Sequence, residues 1–240
     1  MTETPRGART TRLIGAVLGA RRGLRSSILA LLIAVVLVSF SIRLAVDVPN
    51  VVAGTVPQPD AFEQRYALHP VAAYVHIVPG VVYLLGAPLQ LSRRFRSRHL
   101  GVHRRLGRVV LAAGLVTGVA AIVVGVWFPY GGTLEASAAV VFGAWFLAAL
   151  VLAYRAVRRR DVARHRRFMI RAFAMGLAVG TARVWMGLFQ AVGLLAIQDN
   201  AGTQWFGVAF WLALVMHAVV AEAYLAARPT VTGRTNLARS

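Results

Sequence analysis

The chain contains no cysteine and no lysine, and only 8 of its 240 residues are acidic. Without cysteine it has no disulfide, no thiolate chemistry, no Fe–S ligation and no covalent c-type haem attachment. Only 15% of the residues are charged, compared with about 25% in a typical soluble domain. Hydrophobic residues make up 58% of the chain. The composition therefore predicts a membrane protein.

All 27 basic residues are arginine, and the formal net charge is +19. Such a charge is often the mark of a disordered basic tail or of a protein that binds nucleic acid. The high hydrophobicity excludes the first. The long uninterrupted apolar runs argue against the second, so no nucleic-acid partner is expected.

Six stretches are long and apolar enough to span a bilayer, which needs roughly 20 apolar residues per helix. They lie at about 27–46, 70–91, 107–128, 137–156, 168–191 and 206–227. Because the links between them are short, we predict one all-α bundle of six transmembrane helices without a separate soluble domain. Basic tails at 1–26 and 228–240 flank it.

The arginines are concentrated in alternate connections. Most lie in the two tails and in the links between spans two and three and between spans four and five. The positive-inside rule then predicts that both termini are cytoplasmic and that the arginines face anionic lipid headgroups of the cell membrane. The uncharged run Ser26–Ile42 is long for a signal peptide and no clear A-x-A site follows it, which favours a retained signal anchor.

A few ionisable residues fall inside or at the ends of the spans, where they are costly and mark candidate functional sites. At about 1.5 Å rise per residue, His76 lies roughly 9 Å and His217 roughly 16 Å below the outer edge. We predict that these two form an outer pair. His103 and His165 precede spans three and five and form an inner pair. Arg183 lies at a depth comparable to the outer pair.

Two histidines on facing helices at one depth match the axial ligation of a b-type haem. The sequence therefore predicts haem b, with His76, His217, His103 and His165 as candidate iron ligands. Arg183 is a candidate partner for a haem propionate. The alternative is that each intramembrane histidine only hydrogen-bonds a neighbouring helix and supports packing.

Other features have structural explanations. Arg171 and Glu222 lie near one level on spans five and six, which predicts an ion pair. Two small-residue motifs begin at Gly114 and Gly176 and have their second glycines four residues later. Motifs of this kind allow close helix packing, and we expect packing here.

Two segments resemble a known family: YVHIVPGVVYLLGAPLQLSRRFRSRHLGVHRRLGRVV (74–110) and HRRFMIRAFAMGLAVGTARVW (165–185). Their H-x-x-P-G, H-R-x-L-G-R and H-R-R-x-M-I-R elements are similar to those of the bacterial multi-pass family called domain of unknown function 2306. The resemblance implies a polytopic membrane protein. It places His76, His103, His165, Arg171 and Arg183 on matching positions, and it supplies no reaction.

Three functions remain open from the sequence. The first is electron transfer by a b-type haem protein with a membrane redox partner. The second is a transporter or proton-coupled carrier, because Pro79 and Pro88 are expected to break the second span and interrupted helices often line cavities. The third is a non-catalytic membrane subunit or assembly factor. The chain has no H-E-x-x-H, G-x-S-x-G or Walker-type motif, so no enzyme class is assigned.

Overall fold

A computed structural model describes residues 31, 33–56, 61–194 and 200–227. The helices in this part are α1 (Ile33–Ala53), α2 (Ala61–Leu68), α3 (Pro70–Leu91), α4 (Arg93–Arg98), α5 (Leu100–Trp127), α6 (Gly132–Arg158), α7 (Val162–Ala191) and α8 (Asn200–Ala226). Six of them, α1, α3 and α5 to α8, are long and apolar enough to cross a membrane. The predicted all-α fold with six membrane helices is confirmed. The predicted basic tails lie outside the described residues.

Five of the six membrane helices differ from the predicted spans at one end or at both. α3 has the predicted bounds, whereas α5 begins at Leu100 and α7 at Val162, one to two turns before their apolar stretches. Arginine is a good helix former, so a helix continues through charged turns that a hydropathy criterion leaves out. The side chain of Asp161 caps α7 by accepting a hydrogen bond from the Arg164 N–H at 2.9 Å.

The second span is not broken. α3 is continuous from Pro70 to Leu91 and contains Pro79 and Pro88, so the expectation that these prolines interrupt the span is wrong. A proline removes one backbone hydrogen bond, and membrane helices tolerate this where neighbouring helices and side chains compensate. Pro70 occupies the first turn, where its missing N–H has no intrahelical partner to lose.

Four helices form a closed ring. α3 packs against α5, α5 against α6, α6 against α7, and α7 returns to α3, while α8 packs outside on α6 and α7. In this ring α5 and α7 are diagonal to each other. We call the end where α3, α6 and α8 finish and α5 and α7 begin the arginine-rich end. The opposite end, where α6 begins, is called the Glu135 end.

Tyr83 is the largest fully buried side chain and lies between α5 and α7. A Cβ added at Gly114 would lie 2.9 Å from Tyr83 Cδ2, and one added at Gly176 would lie 2.7 Å from Tyr83 Cε1. Both positions must therefore be glycine for the Tyr83 side chain to fit between α5 and α7. The packing prediction is confirmed for them, whereas a Cβ at Gly180 would meet nothing within 4 Å.

A polar contact joins α1 to the bundle. Asp47 is buried, forms an ion pair with Arg43 of the same helix, and accepts a hydrogen bond from the Tyr74 hydroxyl at 3.0 Å. The Arg43 guanidinium also lies 4.3 Å from the centre of the Tyr66 ring. These contacts fix α1 against α2 and α3 near the Glu135 end.

Candidate functional site

The two histidines of the predicted inner pair both lie at the arginine-rich end. His103 is the fourth residue of α5 and His165 the fourth residue of α7, so both enter the bundle at one level. Their imidazoles are close enough for their charges to interact. His165 Nδ1 lies 2.9 Å from the Ala153 carbonyl oxygen. Donation of the Nδ1 proton to this carbonyl leaves His165 Nε2 as the free, electron-pair-bearing nitrogen.

The surroundings of His103 differ from those of His165. His103 Nδ1 is buried and has no hydrogen-bond partner in the described part of the chain. The nearby charges come from His165 and from two arginines, Arg96 and Arg104. The site therefore combines the unpartnered Nδ1 of His103 with the positive charges of Arg96 and Arg104. This combination suits a group that carries both a metal ion and carboxylates.

The two histidines belong to helices on a diagonal of the ring. Packed helices have interaxial distances of 8–10 Å, so helices on the diagonal of a four-membered ring are about 11–14 Å apart. α5 and α7 occupy such a diagonal and have no extensive direct packing. Two histidines that enter at one level from diagonal helices are the donor set that a bis-histidine haem uses.

The structure does not bring the predicted outer pair together. His76 faces α5, where its Nδ1 lies 3.1 Å from both the carbonyl oxygen and the hydroxyl oxygen of Thr117. The Thr117 hydroxyl donates to the His76 carbonyl oxygen at 2.7 Å. His217 Nδ1 instead lies 2.8 Å from the Ala213 carbonyl oxygen of its own helix. α8 packs on α6 and α7, and its packing against α3 is not extensive.

Depth does not separate His76 from His217. Although α8 begins at Asn200, six residues before the predicted span, it is Gly207 that packs on Gly131 and Glu135. His217 is ten residues further along and lies about 15 Å from the Glu135 end, and His76 lies about 9 Å from the start of α3. What separates the two residues is that α8 packs outside the ring that contains α3. Shared ligation by these two residues stays a prediction.

Arg183 lies near the outer histidine rather than near the inner pair. Its side chain is exposed and lies within electrostatic reach of His76. It does not belong to any of the ion pairs seen in the described helices. The role of Arg183 as a propionate partner therefore stays a prediction.

The predicted pair of Arg171 and Glu222 is confirmed. The guanidinium of Arg171 donates to both carboxylate oxygens of Glu222, Nε at 2.5 Å and Nη2 at 2.8 Å. This bidentate geometry joins α7 to α8. The ion pair gives these two charged residues a structural role inside the spans.

Sequence reasoning missed a second, more buried ion pair. Arg65 Nη1 donates to Glu135 Oε1 at 2.9 Å, and the exposed fractions of the two side chains are 11% and 6%. Glu135 Oε2 also accepts the N–H groups of Tyr130 and Gly131, both at 2.7 Å. Burial alone lowers the pKa of Arg65, but Tyr66 and Glu135 more than offset this and raise the pKa above its usual value. Arg65 on the short helix α2 and Glu135 at the start of α6 are far apart in the sequence, so no local pattern indicated this pairing.

The cavities and acidic groups elsewhere do not supply an alternative site. An apolar groove of about 830 Å³ lies between α3 and α5 near the Glu135 end, lined largely by residues such as Val71, Val75 and Val116. None of the five predicted site residues lines it. Among the described residues, no group of three or more histidine, aspartate or glutamate side chains is arranged to hold a metal ion.

The fold and the buried polar contacts define a polytopic α-helical membrane protein. A family model described as "Predicted membrane protein (DUF2306)" matches residues 73–225, and the chain belongs to this family. The resemblance inferred from the histidine motifs is therefore confirmed. No curated protein and no solved structure matches the chain.

Proposed function

We propose that this protein transfers single electrons through a b-type haem held between His103 and His165. One observation carries the proposal: His103 and His165 enter the bundle at one level on diagonal helices, within electrostatic range of each other. When bound, a haem supplies reversible one-electron chemistry at a potential that its ligands and surroundings set. The outer pair is not part of this proposal, because His217 lies on α8, which packs outside the ring on α6 and α7, whereas His76 lies within the ring on α3.

The chain's own residues then have separate tasks. The Ala153 carbonyl fixes the tautomer and orientation of His165, as a hydrogen-bonded carbonyl does for many metal-ligating histidines. Arg96 and Arg104 supply positive charge beside His103 and would hold the carboxylates of a bound haem.

We also propose that the arginine-rich end and both termini lie on the cytoplasmic side of the cell membrane. The arginines flanking α3, α5, α6 and α7 at this end support the orientation through the positive-inside rule. Anionic lipid headgroups are the lipid partner of this surface. A redox partner then reaches the site from the cytoplasm, since both histidines lie within the first turn of their helices.

The optical spectrum of protein purified from haem-replete cells tests the proposal. We expect a Soret band in the wild type and in His99→Ala, which alters a histidine one turn before His103. We expect the band to be lost or shifted in His103→Ala and in His165→Ala. Circular dichroism and size-exclusion chromatography of each variant establish that the helical fold is retained.

The same experiment tests the predicted outer pair. If His76→Ala and His217→Ala remove the band while His103→Ala and His165→Ala retain it, the iron lies at the outer pair and the proposal is wrong. A folded wild type without a Soret band would also overturn it.

A further inference from the structure

The short helix α4 lies between α3 and α5 at the arginine-rich end and is set apart from both. The backbone leaves helical geometry at Ser92 and again at His99, so the chain bends on both sides of α4. Ser92 caps α4 by accepting a hydrogen bond from the Phe95 N–H at 3.3 Å, and the His99 N–H donates to the Phe95 carbonyl oxygen at 2.9 Å. α4 also packs against both neighbouring helices, so it is a fixed part of the fold.

The exposed arginines of α4 share one side of the helix. Arg93, Arg94 and Arg98 are exposed, whereas Phe95 is partly buried against the bundle. At 3.6 residues per turn, the three arginines lie within an arc of about 140° on the helix surface. We call Arg93, Arg94 and Arg98 the outer face of α4. This face presents three guanidinium groups side by side.

The guanidinium groups of the outer face have no anionic partner in the described part of the chain. None of the ion pairs that the described residues form includes one of these three arginines. Residues 92–110 contain seven arginines and no acidic residue, whereas the other arginine-rich link, between α6 and α7, contains Asp161. The charge of the outer face is therefore available to an anionic ligand.

Apolar side chains lie next to the outer face. Leu100 and Val102, at the start of α5, have exposed fractions of 48% and 52%. An open cavity of about 940 Å³ is lined by Leu100 and by every residue of α4 except Phe95. A soluble phosphate compound would use the arginines alone. A ligand with an anionic head and apolar chains uses both parts of this surface, which therefore fits an amphiphile.

We infer that the outer face of α4 binds the phosphate headgroup of one anionic phospholipid, whose acyl chains lie beside Leu100 and Val102. Guanidinium groups bind phosphate oxygens in bidentate, charge-assisted pairs, and the apolar stems of arginine side chains cover hydrocarbon surface. Arg96 lies outside the arc of the outer face and within electrostatic range of His103, so the lipid site is separate from the proposed haem site. The inference rests neither on haem nor on the proposed orientation.

Native mass spectrometry of the full chain released from detergent micelles tests the inference, because it counts bound lipids and gives an affinity for each. The probes are phosphatidylglycerol, which is anionic, and phosphatidylcholine, which has the same phosphate and no net charge. We expect the wild type to bind one phosphatidylglycerol more tightly than further copies and to show no such preference for phosphatidylcholine. Combining Arg93→Gln, Arg94→Gln and Arg98→Gln should weaken this binding on the order of 100-fold, by the usual contribution of three arginines to headgroup binding.

The matched control combines Arg155→Gln, Arg158→Gln and Arg159→Gln, which are exposed arginines where α6 finishes at the same end of the bundle. This variant loses the same charge and should bind phosphatidylglycerol as tightly as the wild type. Equal weakening in the two triple variants would mean that the whole arginine-rich end attracts lipid without a site on α4, and the inference would be wrong. A wild type that binds the two lipids alike would also overturn it.

A competition experiment distinguishes a lipid from a soluble phosphate compound. Glycerol phosphate has the anionic head without acyl chains, so at the same concentration it should leave phosphatidylglycerol bound. If it displaces the lipid, the acyl chains contribute nothing and the site is not a lipid site. Circular dichroism of the wild type and of both triple variants establishes that the compared proteins are folded.

Discussion

Replacing Gly176 with alanine tests the packing of Tyr83 most directly. The new Cβ would lie 2.7 Å from Tyr83 Cε1 and 3.3 Å from Cδ1, and the ring has an exposed fraction of 1%. A ring so enclosed has no free space to move into, so the backbones of α3 and α7 must separate. Overpacking of this kind typically costs about 1–3 kcal/mol. The gain in helix propensity from glycine to alanine, up to about 1 kcal/mol, offsets only part of it.

Gly180→Ala is the control for this prediction, since it belongs to the same motif and helix and its Cβ meets nothing within 4 Å. Unfolding in mixed detergent micelles should give a lower midpoint for Gly176→Ala than for the wild type. Gly180→Ala should match or exceed the wild type. A second replacement, Tyr83→Ala, should remove most of the penalty of Gly176→Ala. Equal unfolding midpoints for the two glycine variants would refute the close packing of the Tyr83 side chain against Gly176.

Three further predictions concern charges. Glu135→Ala leaves the Arg65 guanidinium buried without its carboxylate and should destabilise the protein by about 3–5 kcal/mol in the same unfolding assay; a smaller loss than that of Glu222→Gln would contradict it. Glu222→Gln should itself have the milder effect, because 44% of the Glu222 side chain is exposed. Because the chain has no native cysteine, Ser97→Cys and Thr55→Cys each introduce a single thiol that reports on topology. A membrane-impermeant maleimide added to intact cells should label Thr55→Cys and leave Ser97→Cys unlabelled. The opposite result would reverse the proposed orientation.

The sequence is sufficient to predict the fold because each membrane helix corresponds to a long apolar run. Every predicted span corresponds to a helix, and the errors lie at the ends, where arginines continue the helices of α5 and α7. The pair of Arg171 and Glu222 was also predictable, since depth along each span is set by residue number. Such depth arithmetic needs no knowledge of which helices are neighbours.

The candidate site was only partly predictable for the same reason. Depth alone paired His76 with His217, but the position of a helix inside or outside the ring does not follow from depth, and α8 packs outside the ring that contains α3. His103 and His165 lie at one level because each begins a helix at the same end of the bundle. The prediction made from Pro79 and Pro88 was wrong because the rules for soluble helices leave out the neighbouring helices and side chains that compensate for a lost backbone hydrogen bond inside a membrane bundle.

The interface between α3 and α5 shows why composition conceals the informative residues of this chain. Glycine and alanine are abundant, so single small-residue motifs carry little information. Their value appears only when each is matched to the side chain across the interface, as Gly114 and Gly176 are to Tyr83 and Gly107 is to Gln90. Tyr83 and Gln90 are seven residues apart on α3 and each faces a glycine of α5, a pattern that is visible only when both helices are compared. Because residues 73–225 match the family model, this interface and the inner histidines both lie within the part of the chain that the family shares. The chemistry of this protein should therefore be sought in the ring of α3, α5, α6 and α7, and α1 serves as an added helix held by Asp47.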